Sequence, residues 1–211
     1  MRTRKLSLLL LSILLLGFLL GAQQSRQNRT PEDYIKLLES ERRVTELQVE
    51  RVITTLKITP GQRIADLGAG SGLFTRPAAR KVGDKGIVYA IDIDAELLKH
   101  VEKTAREQKL NNIRTIMAAE DDPKLPEPVD LIMIFDTLHH IGQQPTYLKN
   151  LKRYLRPAGR IAVIDFTVTW PQGHESMKYS LDDLDGWMKG AGFKRIEKYD
   201  FLSNDFFVVY Q

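Results

Sequence analysis

Ile64-Ala65-Asp66-Leu67-Gly68-Ala69-Gly70-Ser71-Gly72-Leu73-Phe74-Thr75 passes from a short apolar strand through an acidic residue into a glycine turn and then a helix start. Glycine suits such a turn because it accepts positive φ and lets the backbone come close to a ligand. The N–H groups at the helix start favour polar or anionic ligand groups. A nicotinamide-dinucleotide turn reads G-x-G-x-x-G, with its third glycine three residues after the second. Here the glycines stand at 68, 70 and 72, and Leu73 fills the place that pattern reserves for glycine. No Tyr-x-x-x-Lys pair follows near the helix between the fourth and fifth strands. A nicotinamide oxidoreductase is therefore disfavoured.

Working outward, the chain alternates strand and helix, the pattern of a mainly parallel sheet with crossover helices. Upstream, Thr30-Pro31-Glu32-Asp33 is a helix start, and the apolar positions from Ile35 to Leu56 predict one or two amphipathic helices before Pro60-Gly61. Downstream, the first helix is expected from near Gly72, the second strand over 87–91, and the next helix from Ala95 to Gln108. Strands follow over 113–117 and 129–135, then a helix over 145–155 and a strand over 160–166. A helix over 181–190, a segment from Phe193 to Tyr199 and a strand over 206–210 complete the chain. Three segments result: 1–22, a linker with N-terminal helices over 23–57, and an α/β domain over 58–211.

The spacing of Asp66, Gly68, Gly70 and Gly72 resembles motif I of the class I S-adenosylmethionine-dependent methyltransferases. Asp92 resembles the acid that ends their second strand, and Met117-Ala118-Ala119-Glu120-Asp121 resembles the third-strand exit beside adenine. Val129 to Asp136 with Leu138-His139-His140 resembles the fourth-strand motif. Leu155-Arg156-Pro157-Ala158-Gly159 resembles the turn before the fifth strand, with Ala158 departing from the usual glycine. The resemblance covers about residues 45–211. It implies a Rossmann-like, seven-stranded, mostly parallel sheet with the last strand antiparallel and helices on both faces. It implies S-adenosylmethionine as cofactor, held by Asp66, Gly68, Ala69, Gly70, Gly72, Asp92, Ile93, Glu120 and Asp136. The small-molecule branch that methylates quinone precursors is the most similar.

Such a fold binds ligands beyond the carboxyl ends of its strands. Asp66, Asp92, Glu120, Asp136 and Asp165 all stand at or just past those ends, an acidic rim suited to a cationic sulfonium. If the acceptor is a hydroxyl or an acidic carbon, a base must remove its proton. His140 and His139, with Asp136 beside them, are the catalytic candidates, and His174 is a further base candidate. Asp136 and Asp165 end strands as the ligand acids of metal-dependent catechol-type enzymes do, but Phe166 stands where those carry Asn, so no metal is expected. Trp170, Met177, Tyr179, Trp187 and Met188 fall where such folds carry an acceptor lid.

The chain has 211 residues, 43% hydrophobic and 27% charged, which suits one globular domain. Its net charge of +4 invites a nucleic-acid reading, but Arg2, Arg4 and Lys5 stand in residues 1–22 without any acid. That leaves 28 of the 31 Lys and Arg against 27 acids, and no basic block follows. Nucleic acid is not expected as a partner, and a small-molecule acceptor is expected. The basic start and the apolar run over residues 6–20 read as a signal peptide or anchor, so membrane association and an exported location are expected. The absence of cysteine rules out disulfides and a lipid-linked cysteine. Export conflicts with a cofactor made inside cells, which keeps a second reading open: an exported, non-catalytic binding protein on the same fold.

Overall fold

A computed structural model describes residues 30–211, so the expected leader and nearly all of the linker lie outside the described residues. Among those described, no helix is long and apolar enough to cross a membrane. Three short helices open the chain: α1 (Pro31–Leu38), α2 (Glu41–Glu46) and α3 (Val49–Thr55). They replace the one or two expected helices because the backbone breaks twice. Ser40 caps α2 by accepting from Arg43 N, and Gln48 turns left-handed at φ 44° before α3.

The sheet follows as β1 (Arg63–Leu67), β2 (Ile87–Asp92), β3 (Ile113–Met117), β4 (Val129–Phe135), β5 (Leu155–Phe166), β6 (Arg195–Tyr199) and β7 (Asp205–Tyr210). Its order is β3-β2-β1-β4-β5-β7-β6. The first five strands run parallel, and β7 lies antiparallel between β5 and β6. The crossover helices are α4 (Thr75–Val82), α5 (Ala95–Glu107), α6 (Gln144–Leu151) and α7 (Leu181–Gly190). Strand order reverses between β1 and β4, the switch point beside whose carboxyl ends such sheets bind ligands.

Both faces of the sheet are covered, so the central strands are nearly continuous apolar runs. Ile64, Val88, Leu131 and Met133 pack on Val52 and Ile53 of α3, Ala78 and Val82 of α4, and Val101 of α5. The alternate residues Leu67, Ile91, Ile132 and Ile134 pack on Leu148 and Leu151 of α6 and on Leu184 and Met188 of α7. Each fully buried aliphatic side chain stabilises the fold by about 1.5–3 kcal/mol. The exception within β4 is Asp130, whose carboxylate accepts from Arg63 N at 2.7 Å and pairs with Arg156 at the sheet's lower edge.

Within the α/β domain, three boundaries differ from expectation by three residues or more. α4 begins at Thr75, not Gly72, because Gly68, Gly70 and Gly72 all take positive φ and extend the turn. β5 begins at Leu155, five residues early, since Leu155 already pairs with Val129 and an irregularity absorbs Ala158 at φ 62°. α6 stops at Leu151 and continues as one 3-10 turn to Tyr154.

Candidate active site

The glycine turn leaves β1 with its first two amides committed. Gly68 N and Ala69 N both donate to Ile91 O, at 2.8 and 3.0 Å, which ties the turn to the end of β2. Gly70 N donates to Asp92 Oδ2 at 2.8 Å, and Asp94 N donates to Oδ1 at 3.0 Å. Burial raises the Asp92 pKa, and the Gly70 and Asp94 amides oppose it. Each oxygen keeps a second lone pair, so the half-buried carboxylate can still accept from a diol. Next to it Ile93 is 58% exposed and Met117, paired beside Asp92, is 46% exposed. Two large apolar side chains open to solvent at adjoining strand ends are what the face of a planar base would cover.

Asp66 sits deeper. It is buried and accepts from Thr75 Oγ1 at 2.5 Å, and burial pushes its pKa up to about 7. Glu120 stands exposed on a tight turn closed by Ala119 N donating to Asp122 O at 2.9 Å.

At the end of β4, Asp136 takes φ 49° and pairs with Arg43 Nη2 of α2 at 2.5 Å. Burial raises its pKa against the pull of Arg43. Its Oδ1 and the Arg43 Nε are buried without a partner. The next residue, Thr137, donates to Phe135 O at 2.9 Å and touches the turn at Gly68. Asp136 therefore lies beside the glycine turn with one oxygen uncommitted, which fits a ligand ammonium.

His139 and His140 lie in a 3-10 turn, Leu138–His140, that sequence periodicity does not foretell. His139 is buried; its Nδ1 lies 2.8 Å from Asp165 Oδ1, and its N–H donates to Asp165 Oδ2 at 3.3 Å. Asp165, at the end of β5, also accepts from Phe166 N and from Tyr179 Oη at 2.9 Å. His140 is exposed, with its ring centroid 4.1 Å from that of His139, and His174 closes a triangle at 5.2 and 5.0 Å. Phe166 and Trp170 flank His139, both at 5.5 Å. The structure thus gathers His139, His140, His174, Asp165, Trp170 and Tyr179 in one cluster beyond β4 and β5. It leaves Trp187 against Tyr179 and buries Met188 in the core. Asp136 Oδ2 pairs with Arg43, while both Asp165 oxygens are engaged, Oδ1 by His139 and Oδ2 by Tyr179.

Sequence reading misses Arg43, which comes from outside the repeating strand–helix pattern. It also misses Asp205, whose pKa is pushed up to about 7 by burial and by Asp136 and Asp165. No local motif marks either residue.

The glycine turn, the acid ending β2 and the seven-stranded order define the class of the S-adenosylmethionine-dependent methyltransferases. The chain belongs to the methyltransferase domain family, whose pattern it matches over residues 58–197. It is 34% identical over 110 residues to the ubiquinone/menaquinone biosynthesis C-methyltransferase UbiE of Vibrio parahaemolyticus, covering 51% of this chain and 42% of that protein. The chain thus spans about half the length, or less, of the curated relatives it matches. A SAM-dependent methyltransferase from Aquifex aeolicus superposes with a TM-score of 0.75 at 26% identity, over 87% of this chain and 98% of that one. An S-adenosylmethionine-dependent methyltransferase from Clostridium acetobutylicum shares the fold, with a TM-score of 0.65 at 14% identity over 84% and 95% of the two chains.

Proposed function

We propose that this chain transfers a methyl group from S-adenosylmethionine to a small, lipophilic ring compound held beyond the ends of β4 and β5. The observation that carries the reading is the Gly70–Asp92 bond at 2.8 Å, which fixes a two-oxygen acceptor against the glycine turn. The cofactor supplies a methyl group on a sulfonium: the acceptor–carbon bond forms as the sulfur–carbon bond breaks, the electron pair stays on sulfur, and the acceptor gives up a proton.

The residues then divide the work. Asp92 holds the ribose hydroxyls, and Ile93 and Met117 cover the adenine, with Glu120 at the rim. Gly68, Ala69, Gly70 and Gly72 let the backbone approach, while Asp66 braces the turn through Thr75. Asp136 Oδ1 receives the ammonium of the methionine end. Asp165 positions His139, and His140 takes the acceptor's proton. Alignment of acceptor and methyl carbon supplies much of the rate, and proton removal adds about 10²–10⁴-fold.

The ring-lined cluster of Phe166, Trp170 and Tyr179 supports an aromatic or quinol acceptor. The relationship to UbiE supports the same class. The apolar run over residues 6–20 would keep the chain at a membrane, where such an acceptor partitions. The test is S-adenosylhomocysteine formation by the full chain with phenolic and quinol acceptors. Turnover that falls about a hundredfold in His140→Ala, with cofactor affinity unchanged, supports the reading. Cofactor binding without turnover on any acceptor favours the non-catalytic binding protein.

A further inference from the structure

We propose that His139, His140 and His174 form a binding site for one divalent transition-metal ion of the zinc class. Each offers one ring nitrogen, and these three nitrogens lie within 4.8 Å of one another. The hydrogen bonds behind them choose which nitrogen is offered. His139 Nδ1 faces Asp165 Oδ1 at 2.8 Å, and His174 Nδ1 faces Gln172 O at 3.3 Å. A carbonyl oxygen only accepts, and an ionised carboxylate does likewise, so both Nδ1 atoms carry hydrogen. That leaves the Nε2 lone pairs of His139 and His174 as the ligating atoms. A buried carboxylate behind a histidine is the outer-shell arrangement that orients metal-bound imidazole and raises its basicity.

The ligand set suits this ion class. Three neutral imidazoles without thiolate match zinc and its neighbours, whereas magnesium and calcium want oxygen donors. Nitrogens about 2.0–2.1 Å from a tetrahedral ion lie roughly 3.3 Å apart. Closing from 4.8 Å needs a shift on the order of an ångström, which the exposed His140 and half-buried His174 can make while His139 stays fixed by Asp165. Phe166 and Trp170 wall one side and keep it poor in competing donors.

Three protein ligands leave a fourth position, as in catalytic rather than structural zinc sites. A hydroxyl or thiol bound there would release its proton to solvent at neutral pH, because the ion lowers its pKa. With the ion bound, His140 acts on that proton through the ion as a ligand; direct proton removal by His140 belongs to the metal-free chain. The ion site stands on the histidines alone; only its use on an acceptor rests on the methyl-transfer reading.

The experiment is calorimetric titration of the metal-free full chain with zinc chloride, with cobalt(II) as a visible-absorption probe. One equivalent of zinc should bind with a dissociation constant below micromolar. His174→Ala and His140→Ala, both away from the core, should each weaken binding at least tenfold. Asp165→Asn, a positioning change, should weaken it about 10- to 100-fold. Cobalt should give tetrahedral absorption bands that disappear in the histidine variants. Equal zinc affinity in wild type and the His140→Ala/His174→Ala double variant would overturn the site, as would no stoichiometric binding by the wild type. S-adenosylmethionine affinity of the same metal-free samples separates this outcome from failure of the methyl-transfer reading.

Discussion

Arg43 Nη2 donates to Asp136 Oδ2 at 2.5 Å, joining α2 to the end of β4 across 93 residues of sequence. The carboxylate side chain is 7% exposed. Removing the cation would strand a buried charge, and breaking buried pairs typically costs about 3–5 kcal/mol. Arg43 itself keeps partial contact with water, so Arg43→Met should destabilise by about 2 kcal/mol in urea unfolding. Adding Asp136→Asn should recover part of that loss, since Asn tolerates the left-handed backbone at this position. An additive loss would show that the two side chains do not interact.

Gly68→Ala should be worse than Gly83→Ala although both glycines have positive φ. A Cβ on Gly83 meets nothing within 4 Å, so only the backbone penalty of about 1–3 kcal/mol applies. A Cβ on Gly68 would overlap the Thr137 side chain and push the turn away from β4. Thermal unfolding should rank the two, and Thr137→Gly should restore part of the Gly68→Ala loss.

Asp66 predicts a pH dependence. Its pKa rises from 3.8 to about 7 in the folded chain through burial. A raised carboxyl pKa means that the native state binds more protons than the unfolded one, so the contribution is present in full below about 3.8 and lost as pH climbs to about 7. Asp66→Asn keeps an oxygen for Thr75 and removes the titration. At pH 8 it should be more stable than wild type by about 1–3 kcal/mol, with no gain at pH 3.5. A gain independent of pH would contradict the assignment.

Tyr179 holds the far side of Asp165 through its hydroxyl at 2.9 Å. Tyr179→Phe should cost about 1–2 kcal/mol, since a hydrogen bond to a buried carboxyl group is lost while the ring stays packed. Equal melting temperatures for the two proteins would remove Asp165 as its acceptor.

Much of the fold is legible in the sequence because a sheet buried on both faces prints apolar runs with punctuating glycines and acids. The helix over 181–190 and the strand over 129–135 are read to the residue for that reason. The N-terminal helices are not, because Ser40 and Gln48 break them by capping and a left-handed turn that leave the periodicity intact. The position of Asp92 beside Gly70 follows from strand ends lying on one rim, so local order carries it. Arg43, Asp205 and the His139–Asp165 pair come together only through tertiary packing, and sequence spacing holds no trace of them.

Isothermal titration of the full chain with S-adenosylmethionine, S-adenosylhomocysteine and NADH, in wild type and Asp92→Ala, tests the cofactor site most directly. The glycine turn and Asp92 predict micromolar binding of both adenosyl ligands, no NADH binding, and a loss of at least tenfold in Asp92→Ala. Adenosyl-ligand affinity unchanged in folded Asp92→Ala, or absent in folded wild type, would contradict the site.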